Sequence, residues 1–206
     1  MKMHSTFFWL NISIVIALCP NVPLAAEIPS QTFSINNATV GVTTLDEIRK
    51  TYGEAKPSKV GPGDGADETI CYTSSSPKGR SFVIFETGAM GGWTQITGFR
   101  ISTLRQSGNC FSTKIDIGAL ATGNGVKLGQ SLVDFEKAIP VEFKRLGSEL
   151  TYEAVSRRAA TQEELKKLRA KWPDEKRDYF DVTINLIAKF KDNRLIDFYV
   201  HKIESY

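Results

Sequence analysis

Few side chains beyond residue 26 are of a type that does chemistry, and their spacing narrows the options further. His201 is the only histidine there, so no histidine pair can hold a metal or build a proton relay. Cys71 and Cys110 lack the close ligand pairs of a zinc site. Gly61-Pro62-Gly63-Asp64-Gly65 has the glycine density of a phosphate cradle, but no Lys-Ser/Thr follows and the strand–helix setting is missing. It reads as a structural loop. Asp64, Asp67 and Glu68 offer oxygen ligands without the spacing of a calcium loop. There is no Gly-x-Ser-x-Gly elbow. Carboxylates that meet only in space are the one hydrolytic option. The expectation is a chain with no catalytic residue, no metal and no cofactor, hence not an enzyme.

The cysteines point instead to compartment. Lys2, the apolar run Phe7 to Leu18, Pro20 and Pro23, and Leu24-Ala25-Ala26 have the order of a signal peptide spanning 1–26, cleaved after Ala26. The run is too short and interrupted for a finished membrane span, a retained anchor being the alternative. Cys19 follows Leu18 where a lipid-attachment site needs a small residue, which argues against lipidation. Export to a bacterial periplasm, or secretion, is therefore expected. In such an oxidising compartment the isolated pair Cys71 and Cys110 forms a disulfide, with two unrelated buried thiols as the alternative. Setting Lys2 aside lowers the net charge from +3 to +2, too balanced for a nucleic-acid partner or an anionic membrane.

The elements that must position these residues occur twice. Thr44-Leu45-Asp46-Glu47-Ile48, running on to Tyr52, is echoed by Ser131-Leu132-Val133-Asp134-Phe135, running on to Ile139. Each begins with a capping hydroxyl and an acid three residues on, then places apolar residues on one helical face. Gly53 stops the first helix and Pro140 the second. Strands are predicted at Thr69–Ser74, Ser81–Thr87 and Ile96–Thr103, then at Glu149–Val155, Phe180–Phe190 and Leu195–Ile203. The last two form a hairpin turning at Lys191–Arg194, with Ile196, Phe198 and Val200 facing the helix. Thr32 to Ile35 reads as an edge strand, and Lys56 to Asp67 as loop. A third capping box, Thr161 with Glu164, opens an inserted helix over 161–172. That helix is either a solvated surface helix or a basic recognition element.

The outward sheet face is where a partner has room to dock. If Val83 and Phe85 face the helix, Phe82 and Ile84 point outward, with Trp93 in the following glycine-rich link. In the last strand Tyr199 and His201 have the outward parity. Phe82, Ile84, Trp93, Tyr199 and His201 are thus the candidate partner-binding residues. The alternative is that the two halves pack these faces on each other or on the N-terminal segment.

Gly41 with Thr43-Thr44, Ile48, Tyr52 and Gly53, and then Gly129, Ser131, Phe135, Ile139 and Pro140, resemble the BamE/SmpA-like module of bacterial envelope proteins. Two in tandem look like the β-lactamase-inhibitor-protein architecture. The resemblance implies an α+β fold in which two tandem helix-plus-antiparallel-meander modules, 27–112 and 113–206, join into a concave sheet with helices on one face. It further implies a periplasmic binding or scaffolding protein that grips a protein of the envelope or an enzyme. The departures are one extra residue before the first cap, Pro140 in place of glycine, and the inserted helix. No residue aligns with an inhibitory hairpin, so β-lactamase inhibition does not carry over. The rival expectation is a periplasmic hydrolase or small-ligand binder using carboxylates in the groove between modules.

Overall fold

The structure is a computed structural model that describes residues 27–60, 67–76, 79–88, 94–106 and 108–206. The signal segment 1–26, Trp93 and the Gly61–Gly65 loop lie outside the described residues. The fold is α+β, built around one long sheet. Its strands are β3 (Ser58–Val60), β4 (Asp67–Ser76), β5 (Gly79–Thr87), β6 (Ile96–Ser102), β7 (Phe111–Ser112), β8 (Lys144–Leu146), β9 (Glu149–Ala159), β10 (Tyr179–Lys191) and β11 (Arg194–Ser205). They pair in the order β3-β4-β5-β6-β11-β10-β9-β8, with β7 added parallel to β4. Every other pairing in this sheet is antiparallel. A small hairpin, β1 (Ser34–Ile35) and β2 (Ala38–Thr39), stands apart. Asn36 and Asn37 turn it with positive φ, as Asp192 and Asn193 turn β10 into β11.

Three helices pack on one face: α1 (Leu45–Tyr52), α2 (Leu132–Ala138) and α3 (Gln162–Lys171). Thr44 caps α1 through a reciprocal capping box with Glu47. On α2 the Ser131 hydroxyl accepts from the Asp134 amide, but the shorter aspartate takes the serine hydroxyl at 2.6 Å. Alternation along the strands turns Ile70 and Tyr72, Val83 and Phe85, Phe99 and Ile101, Phe198 and Val200, and Leu186 and Ala188 toward the helices, all buried. Tyr52 of α1 lies against Tyr72 and Phe85, and this burial pushes its phenol up to about 12. Phe135 of α2 meets Phe143, Phe190 and Phe198.

The two halves also share a hydrogen-bond pattern. Gly41 donates to Ile96 and Ile96 donates to Thr43; Gly129 donates to Leu195 and Leu195 donates to Gln130. Each glycine has positive φ, which lets its amide turn onto the strand beside it. The residue capping each helix then bridges the start of the third strand of its own half, Thr44 to Gln95 and Ser131 to Arg194.

Several expectations need correction. The stretch read as loop from Lys56 contains β3, which the isolated edge position of three residues made hard to see. Ser30–Phe33 is a 3-10 turn, so only Ser34 and Ile35 of the proposed edge strand are extended. β9 continues to Ala159, four residues past the expected end. In the last hairpin Lys189 pairs with Asp197 but Phe190 with Leu195, so Ile196 is a bulge and Leu195 is the buried residue.

α3 hangs on the helix-bearing face through Arg158, whose guanidinium binds Glu164 at 2.7 and 3.0 Å and Glu204 at 2.5 Å. Leu165 is buried, whereas Trp172 at the helix end is exposed. Hydrogen bonds from Arg158, and then from the Thr161 amide, hold the Glu164 carboxyl down at about 2, against an ordinary 4.5. A carboxylate depressed in the folded state stabilises fully above pH 4.5 and loses that contribution as pH falls toward 2. Backbone chemical shifts of 162–171 should therefore drift toward coil values over that interval while those of α2 hold. Glu164→Gln should show the same drift at neutral pH, and α3 shifts that stay fixed in both cases contradict it.

Candidate functional site

The face of the sheet opposite the helices carries the candidate site, and register defines it. One row across the strands reads Ile84, Arg100, Tyr199 and Ile187. On one side of it lie Glu86, Gly98, His201 and Asn185; on the other lie Phe82, Ser102, Asp197 and Lys189. The centre of this face is the β6–β11 seam, where the two halves of the chain meet.

Gly98 is what allows the seam to close. A Cβ there would sit 2.5 Å from Glu86 Oε1, 2.6 Å from the Val200 carbonyl oxygen and 3.2 Å from His201 Cδ2. With only hydrogen at that position, Glu86 leans from β5 across β6 to reach β11. The Tyr199 hydroxyl donates to Glu86 Oε1 at 2.5 Å, and His201 Nε2 lies 4.0 Å from the same oxygen. The Tyr199 and His201 rings stack with centroids 6.0 Å apart. The Arg100 guanidinium also lies over the tyrosine ring, its Cζ 4.9 Å from the ring centre. Its Nε lies 3.9 Å from Asp197 Oδ1, a carboxylate with a side chain only 2% exposed.

Burial, and then the charge of Glu86, raise the Tyr199 phenol far above its ordinary value, so it is a hydrogen-bond donor and not a base at neutral pH. Its proton is already committed to Glu86. Asp197 Oδ1 has no hydrogen-bond partner, yet it is sealed beneath its neighbours. Among the described residues no group of three or more metal-ligating side chains occurs. The central row of the face is thus Ile84, Arg100, Tyr199 and Ile187, an arginine set among apolar and aromatic side chains, with Lys189 and His201 in the rows on either side.

Gly98→Ala should cost about 1–3 kcal/mol, because Glu86 can swing away from a new methyl but the Val200 carbonyl cannot. The loss of the Glu86 contact should also bring one tyrosine closer to its ordinary 10.0 in an ultraviolet titration. Wild-type stability with an unchanged titration would refute this packing account.

Of the candidate residues, Ile84, Tyr199 and His201 fall within this array and Trp93 lies outside the described residues. Phe82 has the outward parity but is only 7% exposed, which corrects its expected place on the free surface. The chain leaving β6 crosses to the far edge of β4 to form β7, and Arg105, Gln106, Gly108 and Cys110 line a cleft of about 330 Å³ with Thr73, Arg80 and Phe82. The Cys71–Cys110 disulfide pins this strap, since Cys71 is on the outward parity of β4 beside Ile84. Glu86, Gly98, Arg100 and Asp197 were not anticipated. A glycine within an otherwise β-rich run was the one available signal.

Comparison of the chain with protein-family models, curated proteins and solved structures gave no match. Among the described residues no helix is long and apolar enough to cross a membrane.

Proposed function

We propose that this is an exported binding or scaffolding protein, built from two tandem helix-plus-meander modules, that docks a protein of the bacterial envelope on the face opposite its helices. The observation that carries the reading is the seam array. Ile84, Arg100, Tyr199, His201 and Ile187 form one contiguous, part-exposed surface whose polar groups are held in place by Glu86 and Asp197. Rigid aromatic and arginine side chains of this kind suit protein contact. The repeated Gly41–Ile96 and Gly129–Leu195 hydrogen bonds support the tandem reading, and with it the resemblance to BamE/SmpA-like and β-lactamase-inhibitor-like proteins. Export draws support from the disulfide. The hydrolase reading gains less: Glu86 is occupied by Tyr199 and Asp197 is inaccessible.

A photo-crosslinking residue at Ile84 or Ile187 in intact cells should trap one discrete envelope protein. The same residue at Val133, exposed on α2, should trap none. Ile187→Asp should weaken that capture by about tenfold or more while thermal stability changes little. Equal trapping from both faces, or none from the sheet face, rules the reading out.

A further inference from the structure

The two ends of the long sheet are finished differently. At one end β3 and β7 cover the outer edge of β4 at 67–69 and 72–73. At the other, β8 covers the outer edge of β9 only over Glu149–Thr151; beyond that point β9 pairs with β10 on its inner side and no described strand pairs with its outer edge. An uncovered edge strand is a template for another strand.

The phase of the ladder shows which groups are free. Phe190 donates to Ser148 directly opposite, and Ala160 donates to Asp178 directly opposite. In an antiparallel pair such hydrogen-bonded positions alternate with non-bonded ones. Even-numbered residues of β9 therefore spend their backbone groups on β10, and the N–H and C=O of Glu153, Val155 and Arg157 point out of the free edge. These three also carry exposed side chains on the face opposite the helices. Val155 is the most exposed large apolar residue among the described residues, at 70%. Glu153 has no ion pair among the described residues, whereas Arg157 has an exposed one with Asp181.

We infer that β9 pairs antiparallel with β9 of a second copy of this chain, about a two-fold axis through Val155. In that register Val155 opposes its own counterpart, and Glu153 of each copy opposes Arg157 of the other. Every edge-directed backbone group of the three residues then finds a partner. An isologous contact requires a self-complementary strand. Glu-x-Val-x-Arg is self-complementary, and its polar ends coincide in phase with the free backbone groups. Charges that guard an edge against pairing are usually of one sign or point inward. Here the signs are opposite and symmetric about the apolar residue, which selects a second copy over an unrelated strand. The paired run is bounded by β8 before it and by the Ala160 turn after it, so the contact is short. The inference is independent of the partner proposed for the open face, which two copies joined this way would present side by side.

Sedimentation across a concentration series up to roughly 1 mM, where even complexes at the weak end of the affinity scale are half formed, should show a monomer–dimer equilibrium. Val155→Pro removes one edge-directed N–H and leaves the β10 ladder intact, and should abolish the dimer with the monomer still folded. E153R places like charges opposite each other twice per dimer and should weaken it about tenfold or more. Mixing the E153R chain with an R157E chain should restore association as a heterodimer, although each alone associates about tenfold or more weakly than the unaltered chain. A chain that stays monomeric throughout, or a dimer indifferent to both Val155→Pro and E153R, overturns the inference.

Discussion

Removing the Cys71–Cys110 disulfide, by reduction or by paired serine substitution, should lower stability by about 4 kcal/mol. The two cysteines are 39 residues apart. Closing a loop of that length removes about that much chain entropy from the unfolded state, within a usual range of about 2–5 kcal/mol. For a domain of this size the corresponding fall in Tm is about 8–16 °C. The effect should also be local. Among the described residues the strap over β4 and β5 would keep its short parallel ladder, Tyr72 with Phe111 and Thr73 with Ser112, the Thr113 amide bond to Thr73, and the Thr103 amide bond to Ile196 at its start. The amides of Leu104, Arg105, Gln106, Gly108, Asn109 and Cys110 should then exchange sooner than those of β10, and Phe82, now 7% exposed, should become accessible. Thermal melts with and without reductant, read beside hydrogen exchange, check both parts. A Tm that moves by less than about 2 °C contradicts the entropic account.

Phe135→Ala should cost about 3–5 kcal/mol, the range for deleting a fully buried aromatic ring. Phe135 joins α2 to the second half of the sheet. Its ring lies 5.4 Å from Phe143, 5.5 Å from Phe190 and 5.4 Å from Phe198, tilted or edge-on to each. Phe190 and Phe198 are fixed by β10 and β11 and Phe143 directly precedes β8, so the three cannot all collapse into the vacated space and a cavity cost adds to the lost transfer energy. Val133→Ala, two residues earlier on the exposed side of the same helix, should change stability by no more than about 0.5 kcal/mol. Urea denaturation distinguishes the two variants, with the midpoint moving at a nearly constant slope. Equal costs at both positions would mean that α2 does not anchor the core as its aromatic contacts require.

The local grammar of the chain was readable where neighbours in sequence are neighbours in space. Thr44, Ser131 and Thr161 cap the three helices because each hydroxyl reaches an amide only three residues away. The parity of Val83 and Phe85 against Phe82 and Ile84 was readable because a strand alternates with period two. The same rule failed at Ile196, where a bulge shifts the phase by one residue and buries Leu195 instead. Nothing in local alternation announces a bulge, since both phases of Leu195–Asp197 offer one large apolar residue. β7 and β8 were also missed. Strands of two and three residues have no period to detect, and they exist only because a longer edge is beside them.

Residue order alone determined the helix caps, the inward and outward faces of each meander and the cysteines free to bridge. These follow from helix and strand periods and from side-chain chemistry. It could not determine that β6 and β11, nearly a hundred residues apart, would lie side by side. That pairing brings Glu86, Arg100, Tyr199 and His201 to one place and makes Gly98 indispensable there. Nor could it show that a strap would bury Phe82, or that β9 would leave its outer edge open beyond β8 with its free amides in phase with Glu153 and Arg157. Those outcomes depend on strand order and register across the whole sheet, where contact energies between distant segments compete and local preference is silent.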